Sequence, residues 1–232
     1  MSGYRRPDRR EEILALRTTE RPLIGTIALL TVVADRLSIV CRVGPDVVRL
    51  PSFDPAADVG LDEVVRSKAD DVVGHGSTYL EQLYTFTAHR SGSDSAIVVS
   101  YLACAPSIGP LHERYRLLPT DEAVDLMSGV DRQIVEYALT RLRAKIGYTT
   151  IGFHLMAVEF TLSELQRTYE TILGTLVDKR NFRRRILASG LVSQTEGRRA
   201  GANHRPAALY QFAAAHDPSA FLTPMTAGQV ST

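Results

Sequence analysis

Apolar residues come in two rhythms along the first two thirds of the chain. From Pro22 the spacing is that of strands. Residues 26–34 are dense in β-branched side chains, Asp35-Arg36 has the composition of a turn, and residues 37–43 predict a second strand that pairs back on the first. Residues 47–50 predict a short third strand. The rhythm then changes: Leu61, Val64, Val65, Ala69, Val72 and Val73 fall on one face of a helix over 61–73. Two more strands follow, 79–88 and 96–105, separated by the loop Ser91-Gly92-Ser93-Asp94. A second helix is predicted over 131–146, with Val135, Ala138, Leu139, Leu142 and Ile146 as its stripe. It links the two halves of the chain, either as a core helix or as a dimer contact. Strands with an inserted helix make the first half an α+β domain.

The pattern is sharpest after residue 149. Thr161-Leu162-Ser163-Glu164 has the form of a capping box, in which the Thr161 hydroxyl accepts the Glu164 N–H and the Glu164 carboxylate accepts that of Thr161. Phe160 and Leu165 hold the two positions of a hydrophobic staple. Leu162, Leu165, Tyr169, Ile172, Leu173 and Leu176 form the apolar stripe, Gly174 is the C-terminal cap, and Asp178 opens a new helix. Two helices joined by a short glycine-containing turn are a helix-turn-helix. On the second helix Phe182 and Ile186 share the buried face. At 100° per residue Arg180 and Arg184 point away from it, flanked by Asn181 and Arg183. Arginine matches guanine and asparagine matches adenine in the major groove, so these four are candidate base readers. Lys179 and Arg185 are candidate phosphate contacts. Residues 191–194 and 207–212 predict two short strands, with Arg198, Arg199, His204 and Arg205 in the loop between them as a basic wing. Thr161, at the start of the first helix, completes the candidate DNA-contacting set.

Charge distribution supports this reading. The chain of 232 residues has a formal net charge of only +1, yet residues 178–205 hold eight Lys/Arg against two Asp/Glu. A solvated basic face is the plain alternative, but one sign of charge concentrated on the second helix of a helix-turn-helix favours a polyanion partner. The two cysteines, Cys41 and Cys104, lie in strand-like apolar runs with no zinc spacing, and are expected as buried thiols. The longest apolar run, 23–34, is too short to span a bilayer and lacks a cleavage-site pattern, so a cytoplasmic, nucleoid-associated protein with no membrane partner is expected. Residues 1–20 read as a charged arm and 214–232 as a flexible tail.

The string FTLSELQRTYETILG, DKRNFRRRIL and HRPAALYQF resembles the C-terminal domain of the NrtR family, the Nudix-related regulators of NAD metabolism. The resemblance runs from Phe160 to Phe212; His204 departs from it, standing where the family has glycine before Arg-Pro. It implies an N-terminal Nudix-like domain over 21–148, including a linker helix, and a winged helix over 149–213. It also implies a homodimeric repressor of NAD-biosynthesis or salvage genes that binds a palindromic operator and is released by ADP-ribose or a related nucleotide.

The resemblance locates a catalytic box to test. Anchored on Gly74, the Nudix pattern puts its leading glycine on Phe53, its loop glutamate on Val59, its arginine on Ser67 and its three helix glutamates on Lys68, Asp71 and Val72. Nudix hydrolysis needs carboxylates that hold Mg²⁺ against a pyrophosphate. With Lys68 cationic and Val59 and Val72 apolar, only Asp71 remains acidic. A fold kept for sensing, with no catalytic residue, metal or cofactor, is the expectation. Arg42 and Arg49, at strand ends, are the candidate contacts for a nucleotide diphosphate, with a structural role left open for each. The rival reading is an ADP-ribose pyrophosphohydrolase with an auxiliary DNA-binding module.

Overall fold

The computed structural model describes residues 21–45, 47–55, 60–73, 78–89, 95–199 and 206–213. The predicted arm and tail, Val59, and the wing residues His204 and Arg205 lie outside these. Strands β1 (Leu23–Val33) and β2 (Arg36–Val43) form a hairpin in which Val33 faces Arg36. The loop is therefore Ala34-Asp35, one residue earlier than the turn composition suggested, and both residues take positive φ, 49° and 57°. Two successive left-handed residues give the turn whose twist suits paired strands. The pairing of the apolar faces decides its position, because a one-residue slip would turn every core side chain to solvent.

β1 also runs parallel to β6 (Ser95–Cys104), from Leu23 opposite Ile97 to Leu30 opposite Cys104. β6 pairs antiparallel with the edge strand β5 (Tyr79–His89). On the other side β2 carries β3 (Val48–Arg49) and β7 (Tyr115–Pro119), while β4 (Ser52–Phe53) pairs with the start of β1. The result is a seven-stranded mixed sheet ordered β3-β2-β1-β6-β5. The sequence reading missed β4, β7 and the helix α2 (Thr120–Leu126), which are too short for a hydrophobic period to register.

Alternation along the strands divides the core between the two faces. Ile27, Leu29, Val40, Val99 and Tyr101 face α1 (Leu61–Val73), which returns Val65, Ala69, Val72 and Val73. Ala28, Leu30, Ile39, Cys41, Leu102 and Cys104 face α3 (Gly129–Ile146), which returns Ile134, Val135, Ala138, Leu139, Leu142 and Ile146. Both cysteines are buried free thiols, and burial pushes Cys41 up to about 12.

The second core continues past the end of α3. It runs through the 3-10 turn Ile151–Leu155 and β8 (Glu159–Phe160) to Leu165, Tyr169 and Ile172 of α4 (Leu162–Leu173) and Phe182 and Ile186 of α5 (Lys179–Ala188). α3 is thus a packed element shared by both halves. The hairpin turn reinforces the junction: Thr171 Oγ1 donates to the Asp35 carbonyl at 3.2 Å, and Arg143 Nε donates to the Ile172 carbonyl at 3.0 Å. A three-stranded sheet, β8-β10-β9, closes the C-terminal part, with β9 at Val192–Arg199 and β10 at Ala207–Phe212.

Candidate DNA interface and effector cleft

The capping box forms in full. The Glu164 N–H donates to Thr161 Oγ1 at 3.2 Å, and the Thr161 N–H donates to Glu164 Oε2 at 2.8 Å. Thr161 is buried, and its hydroxyl accepts the Glu164 N–H, so it starts α4. Gly174 ends α4 in the left-handed conformation at φ 71°, where a side chain would be strained. Val177 N–H and Gln166 both bond Glu170, fixing the turn. Asp178 then caps α5 by accepting the Asn181 N–H at 2.7 Å.

These local devices set the orientation of α5. Phe182 and Ile186 are buried, with Phe182 edge-on to Tyr169, so the opposite face must look outward. Lys179, Arg180, Asn181 and Arg184 are exposed there. Arg184 Nη2 donates to Asn181 Oδ1 at 2.9 Å, which aligns two candidate base readers side by side. Arg185 is half-buried.

Of the other candidates, Arg183 is drawn into the domain, while Arg198 and Arg199 stay exposed. Arg183 is half-buried, its Nη2 donates to Ser163 Oγ at 2.9 Å, and its Nε is buried without a partner among the described residues. The helical wheel put Arg183 on the flank; the bulk of α4 beside it makes that flank an interior seam. Arg198 and Arg199 are not in a loop, as the sequence reading had them, but on β9, opposite Ala208 and Ala207. The strand runs further because Gly197 lets Leu209 approach: a Cβ there would lie 3.0 Å from the Leu209 side chain. Arg199 forms an ion pair with Glu164 and donates to the Glu159 carbonyl at 3.3 Å, which ties the wing to the cap of α4. Burial pushes the Glu164 carboxyl up, but the Thr161 N–H and Arg199 outweigh it and hold it below the usual range.

In the N-terminal half a cavity of about 770 Å³ lies between the sheet and the first turn of α3. Arg42, Arg49, His89 and Asp131 line it, and it brings the two sequence candidates together. Arg42 and Arg49 are directly opposite each other on β2 and β3. Like charges in that position repel, and the pair is destabilising unless an anion is near. Asp131 supplies one: Arg49 Nη1 lies 3.3 Å from Asp131 Oδ2, and the Leu50 N–H donates to Oδ1 at 2.9 Å. Burial raises the Asp131 carboxyl above its usual value against the pull of these donors. Arg42 has no carboxylate partner among the described residues. His89 and Asp131 were not anticipated from sequence. Asp131 was read only as a helix start.

At the pattern of the Nudix box, Lys68 is exposed on α1 and pairs with Asp71 at 3.5 Å, while Val72 is buried in the core. Among the described residues no group of three or more His, Cys, Asp or Glu side chains is arranged to hold a metal ion. Among them, too, no helix is long and apolar enough to cross a membrane.

Residues 152–212 match the family of the NrtR DNA-binding winged helix domain. The ADPR responsive transcriptional repressor NtrR of Acinetobacter baylyi is 34% identical over 167 residues, covering 69% of this chain; the chain spans 66% of that relative's length. The fold is similar to that of Shewanella oneidensis NrtR complexed with a 27mer DNA, with TM-score 0.73 and 23% identity over 86% of this chain and 95% of that one. It is also similar to a MutT/nudix family protein from Enterococcus faecalis, with TM-score 0.65 and 18% identity over 90% and 95%. The N-terminal mixed sheet is therefore Nudix-like and the C-terminal part a winged helix, in an α+β chain.

Proposed function

The chain belongs to the NrtR family, and from that premise we propose that it is a homodimeric, DNA-binding transcriptional repressor of NAD-biosynthesis or salvage genes. The observation that carries this reading is the outward face of α5, where Arg180, Asn181 and Arg184 stand exposed opposite buried Phe182 and Ile186. A helix held this way enters a major groove, and a two-fold dimer matches a palindromic operator. Such a protein works in the cytoplasm, at the nucleoid. Binding to a selected duplex, followed by fluorescence anisotropy, tests it. Arg180→Ala and Arg184→Ala are each expected to weaken the preferred sequence by roughly 1–3 kcal/mol, with less effect on random DNA. Affinity untouched by both substitutions would refute the assignment.

The effector is ADP-ribose or a related nucleotide, bound in the cleft where Arg42 opposes Arg49. The size of the cleft, about 770 Å³, suits a small-molecule site, and the baylyi relative is described as ADPR responsive. Arg42→Gln is expected to weaken ADP-ribose binding in calorimetry. The domain does not hydrolyse this ligand, because Val59, Lys68 and Val72 replace the carboxylates that hydrolysis needs. AMP released from ADP-ribose and Mg²⁺ at a robust rate would overturn that and favour the pyrophosphohydrolase reading.

A further inference from the structure

A second cavity, about 310 Å³, lies on the opposite face of β1, over the C-terminal half of α1. Lys68, Asp71, His112, Arg114, Tyr115 and Ser52 contribute its polar lining. Donors outnumber acceptors. Lys68 contacts Asp71 at 3.5 Å, but a pair between half-exposed groups is weak and leaves most of the ammonium free. Arg114 has no carboxylate partner among the described residues, and its guanidinium sits 5.0 Å over the Tyr115 ring, which steadies it. The Arg114 N–H donates to His112 Nδ1 at 3.4 Å, which leaves Nε2 as the ring's second polar atom. The Ser52 and Tyr115 hydroxyls add two more. Among the described lining residues Asp71 is the one carboxylate against them.

We propose that this cavity binds a diphosphate group directly, with no metal ion. In the hydrolase pattern the same helix face carries carboxylates, and the positive charge on a diphosphate site comes from the Mg²⁺ they hold. Here the polarity is inverted. Lys68 occupies a carboxylate position and, with Arg114, supplies the positive charge as fixed side chains. The Lys68 ammonium also repels a divalent cation. Charge-assisted bonds to phosphate oxygens are the strong class of hydrogen bond, and Arg114 offers a planar fork for them. The site is separate from the cleft of Arg42 and Arg49, and it stands whether or not the chain binds DNA.

Calorimetric titration of the full chain with inorganic pyrophosphate tests this, with one arm in EDTA and one in Mg²⁺. Saturable binding is expected in EDTA. Lys68→Glu and Arg114→Gln, both on exposed side chains, should each weaken it by roughly tenfold. Repeating the titration with ADP-ribose separates a free diphosphate from a nucleotide-borne one: weakening by Lys68→Glu of pyrophosphate alone, or of both ligands, supports the site. Binding that appears only with Mg²⁺, that survives both substitutions, or that never saturates overturns it.

Discussion

Arg183 and Arg184 are neighbours on the same helix, the first half-buried and the second exposed. Truncating Arg183 to alanine removes its bond to Ser163 Oγ, 2.9 Å long. A hydrogen bond from a charged donor contributes ~1.5–3 kcal/mol. The same truncation removes the buried Nε–H that has no partner, and such a group costs ~1–3 kcal/mol. The two nearly cancel. What remains is the lost packing of a half-buried stem, about 1 kcal/mol. Arg183→Ala should therefore lower the midpoint of urea unfolding by that small amount. It should weaken selected and base-substituted duplexes alike, because only the seating of α5 against α4 has changed. Arg184 is exposed. Its truncation should leave unfolding within ~0.5 kcal/mol of the parent, yet cost ~1–3 kcal/mol on the preferred operator. Urea unfolding beside competition anisotropy with duplexes altered one base pair at a time gives both quantities. If Arg183→Ala relaxes the choice of one base pair while stability is unchanged, Arg183 reads DNA and the seam between the helices has been misjudged.

Three further outcomes follow from the packing. Tyr169 is fully buried and its hydroxyl has no partner among the described residues, so Tyr169→Phe should raise stability by about 1 kcal/mol; a clear fall would mean the hydroxyl is satisfied after all. A methyl added at Gly25 would lie 2.1 Å from the Phe53 ring, so Gly25→Ala should cost ~1–3 kcal/mol through overpacking, and an unchanged thermal midpoint would contradict the close approach of β1 and β4. The Glu164 carboxyl is held below the usual carboxylate range, so the stability it contributes is present above the unfolded-state value and lost as pH falls through its folded-state value. Glu164→Gln should flatten the acid limb of the unfolding profile, and a limb as steep as the parent's would remove the Arg199–Glu164 pair from the account.

What the sequence revealed tracks how local the cause is. Residues 61–73 and the capping box at Thr161 depend on side chains three or four positions apart, and both appear where the pattern put them. Gly174 and Asp178 work the same way, which is why the outward face of α5 was legible without coordinates. The failures depend on distant partners. The hairpin turn moved by one residue because β1 and β2 set their own register. Arg199 left the wing loop because β9 continues alongside β10, and Glu164, 35 residues away, was already positioned to pair with it. Arg183 looked solvent-facing on an isolated wheel and became interior only when α4 lay against it. Asp131 gave no signal, since its partners, Arg49 and the Leu50 N–H, are 82 and 81 residues away.

Asp131 also bears on how a ligand in the N-terminal cleft would reach the DNA face. It sits in the first turn of α3, lines the cleft and holds Arg49. The last turn of the same helix contributes Ile146 to the core that continues into α4 and α5. Eighteen helical residues at ~1.5 Å each span about 27 Å, so one rigid element runs from the cleft to the core beneath α4. A phosphate bound beside Arg42, as proposed, would compete with Asp131 for Arg49. Losing Arg49 leaves a buried carboxylate with fewer donors, which favours a shift of the α3 N-terminus toward solvent. A packed core answers such a shift by moving α3 as a body, not by bending it. The ligand changes DNA affinity only by as much as it prefers the shifted form, and DNA must weaken the ligand by the same factor. Asp131→Asn removes the competing charge. It should tighten ADP-ribose binding and, by that reciprocity, narrow the gap between ligand affinities measured with and without operator. An unchanged gap would place the coupling outside α3.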